Sequence, residues 1–301
     1  MAVLNYAEIF NQQLFQAFFK PLMFSALWGS ASNSMVKFLN AHTVQIPHID
    51  TGGATDVNRD TITGFTRNVD NSYESKTLTH YREFSTLVDP QDVDETNVAV
   101  SIANIQQVYN REKKVPELDR YMISKLYSEK VAKDGAASID TTNAPTTANV
   151  LDLFDQYMME MDDSEYPDDG RVLYVTPAVH KLMKGSDRIT RFIDSGTYNG
   201  QLNRAPQALD GVPIIVVPSS RMKTLYNFTN GAVADPTAGQ INMLLCHPGC
   251  VLSPMKYEFV NMEEPSAHSK GKFLYYENFY CDVFLFDRRS GAVKFNVTPA
   301  V

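Results

Sequence analysis

The segment from Pro116 to Asp134, PELDRYMISKLYSEKVAKD, carries the longest well-marked helical pattern in the chain, and any fold must be arranged around it. Val115, Leu118, Met122 and Leu126 recur at three- and four-residue spacing, which places them on one face of a helix. Tyr121, Ile123 and Tyr127 widen that face, so the helix is predicted to touch other structure on more than one side. Its ends are marked too. Pro116 suits a first turn, Glu117 and Asp119 lie near the positive end of the dipole, Lys130 and Lys133 lie near the negative end, and Gly135 is a stop signal. The segment brings no catalytic pattern, and its predicted part is that of a mechanical spine.

The rest of the chain reads as parts placed before and after this spine. Leu4, Ile9, Leu14, Phe15, Phe18 and Phe19 form a helix-like segment that Pro21 ends, followed by Leu22, Met23, Phe24, Leu27 and Trp28. So many large apolar side chains at one terminus need a surface, either the chain's own core or a neighbouring subunit. Thr43 to Ile49 looks extended, TGGATDVNRDTITGFTRN has no sustained apolar face, and Tyr73 to Arg82 alternates like a strand. Together they predict a long polar hairpin, too polar to hold a core alone and pinned by a partner.

From Phe84 the pattern becomes compact. Asp92 with Glu95 resembles a capping box, and Val98, Ile102, Ile105 and Tyr109 give a second amphipathic helix leading to the spine. Gly135 to Thr147 is a small-residue linker and the best domain boundary. Val150 to Met161 forms a third helix with Thr147 as its cap. Arg171–Thr176 reads as a strand and Pro177–Lys184 as a helix opened by its proline. Val212–Val217, Ile241–Cys246, Met255–Asn261, Lys272–Asp287 and Ala292–Val297 supply further strands, with Pro213 at a sheet edge. Segregated helices and mixed short strands indicate an α+β fold.

Little in the chain suggests reaction chemistry. With 301 residues and a net charge of −8, the chain is long enough for one large or two medium domains and poorly suited to gripping nucleic acid as its main task. No run approaches a membrane span of about 20 apolar residues, and the first residues lack a signal-peptide pattern. Cys246, Cys250 and Cys281 fit reduced thiols of a cytoplasmic protein. CHPGC, Cys246 to Cys250, lacks the spacing and fourth ligand of a zinc site, so His247 reads as a turn residue and Cys281 as core. The acidic run Asp162, Asp163, Glu165, Asp168 and Asp169 lacks the spaced ligands of a calcium loop and reads as a solvated connection. Catalytic, cofactor and metal residues are therefore expected to be absent.

The order of these parts is more telling than any motif. FSTLVDPQDVDET, ELDRYMISKLYSE, YVTPAVHKLMKGSDRITRF, ALDGVPIIVVPSSRM and CDVFLFDRRSGAVKFNV occur in an order that resembles the major capsid protein of tailed bacteriophages, the Hong Kong 97-type fold. The resemblance implies an N-terminal arm at residues 1–42, an extended loop at 43–83 and a peripheral domain with the spine helix at 84–146. It further implies an axial domain at 147–271 and closing strands at 272–301 returning to the peripheral domain. It implies contacts between subunits through Phe15, Phe18, Phe19 and Trp28 of the arm and Arg67, Tyr73 and Lys76 of the loop. The implied partners are copies of the chain in pentamers and hexamers, a separate scaffolding protein, a portal and decoration proteins. Double-stranded DNA would be enclosed without sequence-specific binding, and no membrane would be involved. The implied place is the virion, after assembly in the host cytoplasm. Some relatives join subunits through a Lys–Asn bond, but nothing beyond Lys76 points to it here and no crosslink is expected. A nanocompartment shell of the encapsulin kind is the nearest alternative. A hydrolase using His180 or His247 is the more distant one.

Overall fold

The computed structural model describes residues 22–40, 42–54, 69–91, 102–186 and 207–300. The predicted helix of residues 4–19 with Phe15, Phe18 and Phe19 lies outside the described residues. So do the hairpin tip with Arg67, the Asp92–Glu95 capping box, Val98 and the loop after Ser186. In chain order, a short helix α1 (Ser25–Trp28) precedes β1 (Lys37–Phe38), β2 (Thr43–Thr51), β3 (Val69–Thr77) and β4 (His80–Val88). Helices α2 (Ile102–Tyr109), α3 (Val115–Asp134) and α4 (Val150–Asp163) follow, then β5 (Val172–Val175) and α5 (Pro177–Gly185). The remainder is strand joined in places by short 3-10 turns: β6 (Ala208–Leu209), β7 (Val212–Val216), β8 (Tyr226–Asn227), β9 (Val233–Ala234), β10 (Gln240–Cys246), β11 (Val251–Leu252), β12 (Met255–Glu263), β13 (Phe273–Cys281), β14 (Phe284–Leu285) and β15 (Val293–Thr298).

Two sheets carry most of the packing. The first has the order β15-β10-β5-β7-β6, with β5 and β7 parallel and the other pairs antiparallel. All four residues of β5 are buried, as expected of an unbroken apolar run covered on both faces. Phe154 and Met161 of α4, Val179 and Met183 of α5, and Met122 and Leu126 of α3 join this sheet in one continuous core. Helix α5 starts as its sequence predicts, with Pro177 in its first turn and the Thr176 side chain accepting from the Val179 amide. The second sheet, β12-β13-β4, is built of nine-residue strands. The β13–β4 register runs unbroken from Phe273↔Val88 to Cys281↔His80, whereas β12 shifts between Lys256 and Phe259.

Helix α3 is the long helix that its sequence describes, buried on several sides from Val115 to Lys130 and ended by Gly135 at φ +79°, a conformation glycine tolerates. Its beginning differs from expectation. Pro116 does not start a new helix. Helix α2 runs on through a π-helical turn, Asn110–Lys114, in which the Val115 amide donates to the Asn110 carbonyl. A wider turn accommodates a proline that has no amide proton to give and would crowd the carbonyl four residues back.

Three further expectations are corrected. Residues 255–263, grouped above with 147–271, pair with β13 and β4 instead, and β15, grouped with the peripheral strands, pairs with β10. Alternation alone does not separate the two: in β15 Val293, Phe295 and Val297 face the core while Lys294 and Asn296 on the other face bond to Glu160 and Asp140, and the pairing with β10 is set by residues far away in sequence. Thr147 does not cap α4. Asn149 stands at that position, and its Oδ1 accepts from the Thr146 amide (2.6 Å) and hydroxyl (2.8 Å). The predicted hairpin exists, but its ladder runs from Thr43↔Thr77 to Thr51↔Val69, and His80 to Val88 belong to the three-stranded sheet.

Candidate assembly surfaces

The hairpin changes character along its length. At its base, Val44 and Ile46 are buried with Leu78, Leu252 and Phe284. Farther out the apolar side chains are only partly covered by the described chain: Ile49 is 62% exposed, Tyr73 59% and Val69 48%. Lys76 pairs with Glu74 on its own strand at 2.6 Å. The outer half leans over the turn Phe286–Arg289, leaving a cleft of about 520 Å³ lined by Ile46, Pro47, Ile49, Ser72 and Arg288. Asp50 and Arg288 close that cleft at 3.0 Å, and the guanidinium holds the Asp50 carboxyl below its usual range.

A second surface lies where the described chain begins. Asp119, fully buried on α3, accepts from the Phe24 amide through Oδ1 (3.2 Å). Its Oδ2 accepts from the Met23 amide (3.2 Å) and Arg221 Nη1 (2.7 Å). Burial pushes this carboxyl up, and the three donors pull against that. Trp28, assigned above to a contact between subunits, is half-buried inside its own subunit against the cluster of Leu118, Phe279 and Cys281. Its indole nitrogen has no hydrogen-bond partner among the described residues. Of the seven contact residues expected from the sequence, Tyr73 and Lys76 therefore share one hairpin strand and Trp28 belongs to a different cluster.

Beneath the π-helical turn the long sheet hides charge. Lys114 pairs with Glu277, each with a side chain 1% exposed, and lies over the Phe279 ring at 4.7 Å. The Tyr275 hydroxyl donates to the other Glu277 oxygen at 2.6 Å. Sequence reading missed Lys114 and Asp119 as buried groups, although both occupy helical positions shared with the apolar stripe: Lys114 precedes Leu118 by four residues, and Asp119 follows Val115 by four.

The residues that first suggested chemistry have structural partners. His247 sits in the turn after β10, where Nδ1 accepts from the Gly249 amide (3.0 Å) and Nε2 lies 2.9 Å from the Asp169 carbonyl. Burial pushes the Cys250 thiol up to about 12 and raises Cys246 and Cys281 as well, which keeps all three protonated and unreactive at neutral pH. Among the described residues, no group of three or more His, Cys, Asp or Glu side chains is placed to hold a metal ion. The acidic run is more than a solvated loop. It encloses fully buried Arg171, which pairs with Asp162 (2.7 Å) and Asp168 (2.8 Å) and donates to the Tyr166 and Pro167 carbonyls. No helix among the described residues is long and apolar enough to cross a membrane.

Neither a protein-family model nor a curated protein matches the chain. Solved structures do. An asymmetric unit of the bacteriophage PhiM1 mature capsid matches with a TM-score of 0.61 at 15% identity, covering 86% of this chain and 83% of that one. A structure from Mycobacterium phage Che8 matches at 0.57 and 14% identity, covering 89% and 90%, and the capsid of cyanophage P-SCSP1u at 0.55 and 10%, covering 88% and 86%. At such identities the likeness shows the fold, and it spans nearly the whole chain: this protein has an α+β fold of the Hong Kong 97-like capsid type.

Proposed function

We propose that this chain is the major capsid protein of a tailed bacteriophage, a structural subunit and not an enzyme, that assembles as pentamers and hexamers into an icosahedral shell around double-stranded DNA. The observation that carries the reading is the hairpin. Its nine-residue strands leave the apolar side chains Ile49, Val69 and Tyr73 largely exposed on the described chain, in a fold shared with phage capsids. A two-stranded ribbon is marginally stable in water on its own. A neighbouring copy laid against it buries those side chains, each contributing roughly 1.5–3 kcal/mol when fully covered. Repeated around a closed shell, such modest contacts suffice.

In this reading residues 1–42 are the arm and the hairpin is the extended loop. The long sheet with α3 is the peripheral domain, and the five-stranded sheet is the axial domain. Phe15, Phe18, Phe19, Arg67, Tyr73 and Lys76 meet neighbouring copies, and Trp28 joins them at the edge of its own cluster. Because the net charge is −8, the shell encloses its DNA without gripping it. A separate scaffolding protein, a portal and decoration proteins complete the particle, which forms in the host cytoplasm and ends as the virion.

Negative-stain electron microscopy of the purified chain, with and without a co-expressed scaffolding candidate, tests this. Closed shells or rings of five and six are expected. A compact monomer under both conditions overturns the reading, and shells filled with protein instead of DNA mark a nanocompartment.

A further inference from the structure

The chain passes from the hairpin into the three-stranded sheet through Leu78 and Thr79, and polar side chains from several elements converge on that joint. Asp282, fully buried just after β13, accepts from the Thr79 amide and hydroxyl through Oδ2, both at 2.8 Å. Its Oδ1 accepts from the Tyr121 hydroxyl (2.7 Å) and the Val283 amide (2.8 Å). The next residue, His80, opens β4. Its ring stacks on Tyr121 with centroids 3.8 Å apart and meets the Phe228 ring edge-on at 5.3 Å. His80 is only 7% exposed, yet its Nε2 makes no hydrogen bond among the described residues, and Glu117 Oε1 stands 3.7 Å away. That oxygen already receives Arg82 Nε at 2.5 Å, while Arg82 Nη1 donates to the Phe228 carbonyl at 2.7 Å.

The groups around the ring are thus Glu117 and Tyr121 from α3, Arg82 from β4 and Cys281 opposite it on β13. Asp282 is reached through Tyr121, with Lys125 3.9 Å from its carboxylate. Burial, reinforced by Asp282, raises both the Tyr121 hydroxyl and the Cys281 thiol, so these stay protonated at neutral pH. Burial also pushes the Glu117 carboxyl up, but His80 and Arg82 outweigh it and keep Glu117 charged. Histidine is the side chain that changes charge between pH 5 and 8. Protonation makes both ring nitrogens donors, so an orphaned Nε2 becomes one end of a charge-assisted hydrogen bond to Glu117.

We propose that His80 is a proton-operated latch at the root of the hairpin. Neutral, it leaves the joint to Asp282, the packing of Leu78 and its own stacking on Tyr121. Protonated, it ties the start of β4 to Glu117 of the long helix and stiffens the angle at which the hairpin leaves the body. The latch rests on the geometry of one chain and is independent of whether that chain builds a shell.

Hydrogen exchange of the full chain, as free subunit at about pH 8 and about pH 5.5 with labelling times corrected for intrinsic chemistry, tests it. Amides from Leu78 to Arg82 are expected to gain at least about tenfold protection at the lower pH, the size of one added charge-assisted hydrogen bond. Peptides of the five-stranded sheet are expected to stay unchanged. His80→Gln and Glu117→Gln each abolish the gain. An unchanged joint in the wild type overturns the latch, as does a gain spread evenly over the chain or one that persists in a folded His80→Gln. Should neither variant fold, the wild-type contrast between joint and five-stranded sheet decides.

Discussion

The two sheets are held together by different means. In β15-β10-β5-β7-β6 the interior is mostly apolar: Leu173, Tyr174, Met243, Leu244 and Phe295 are all but fully buried, and helices close on the sheet with apolar side chains. In β12-β13-β4 the long helix also covers one face, but ions and hydroxyls share that interface, with Lys114, Glu277 and Tyr275 near one end and Asp282, Tyr121 and His80 near the other. The other face carries Tyr81 and Phe259 in the open, 42% and 45% exposed. A sheet held chiefly by apolar packing resists change and tolerates little movement. A sheet joined to its helix by a few directional bonds holds one alignment firmly and loses it abruptly when a bond is lost.

Breaking the buried pair therefore has the largest effect. Lys114→Met leaves Glu277 charged and uncompensated, and is expected to cost about 3–5 kcal/mol in urea unfolding. The double variant Lys114→Met with Glu277→Leu is expected to recover most of that loss, since hydrophobic replacement of a buried pair is often neutral. Equal destabilisation in both would show that packing, not charge, joins helix and sheet. In the apolar sheet, Leu244→Ala is expected to cost about 2–5 kcal/mol through the cavity it leaves, and no second polar change will rescue it.

What the sequence disclosed follows the same division. Helix α3, the β5–α5 pair and the hairpin were legible because their signals are local: apolar period, Thr176 with Pro177, and alternating polar strands. The partners of each strand were not legible. β4 pairs with β13 from Phe273↔Val88 to Cys281↔His80, far apart in sequence, and grouping β12 and β15 by neighbourhood exchanged them. Buried charge was hidden for the same reason. Asp119 reads as a dipole-compensating surface residue until Arg221 is brought to it, and Arg171 looks like the exposed start of a strand until Asp162 and Asp168 close over it.

A smaller effect separates the linker from both sheets. Burial raises the Asp140 carboxyl, but hydrogen bonds from the Tyr157 hydroxyl, the Asn143 and Thr142 amides and the Asn296 side chain more than offset this, leaving it below the usual aspartate range. A depressed native pKa gives stability that is complete above the unfolded value and lost as pH falls through the native one. The chain is thus expected to lose urea resistance below about pH 4, and Asp140→Asn to flatten that part of the profile by removing one titrating group. An identical profile in the variant would shift the acid sensitivity to Asp134 and Glu160, whose carboxyls are lowered in the same direction.

The smallest change in subunit stability is expected where the proposed function is most exposed. Ile49 and Tyr73 lie on the outer hairpin, apart from both cores, so Ile49→Ser with Tyr73→Ser should move the unfolding free energy of the free subunit by no more than about 0.5 kcal/mol per site. If a neighbouring copy covers these side chains, the same variant loses roughly 1.5–3 kcal/mol at each contact, enough to raise the concentration needed for assembly by tenfold or more. Urea unfolding of the free subunit reads the first quantity, and sedimentation of wild type and variant over a concentration series reads the second. A destabilised subunit would place the outer hairpin with the long sheet as part of the fold. Unchanged stability with unchanged assembly would remove the hairpin from the interface and leave the arm to carry it.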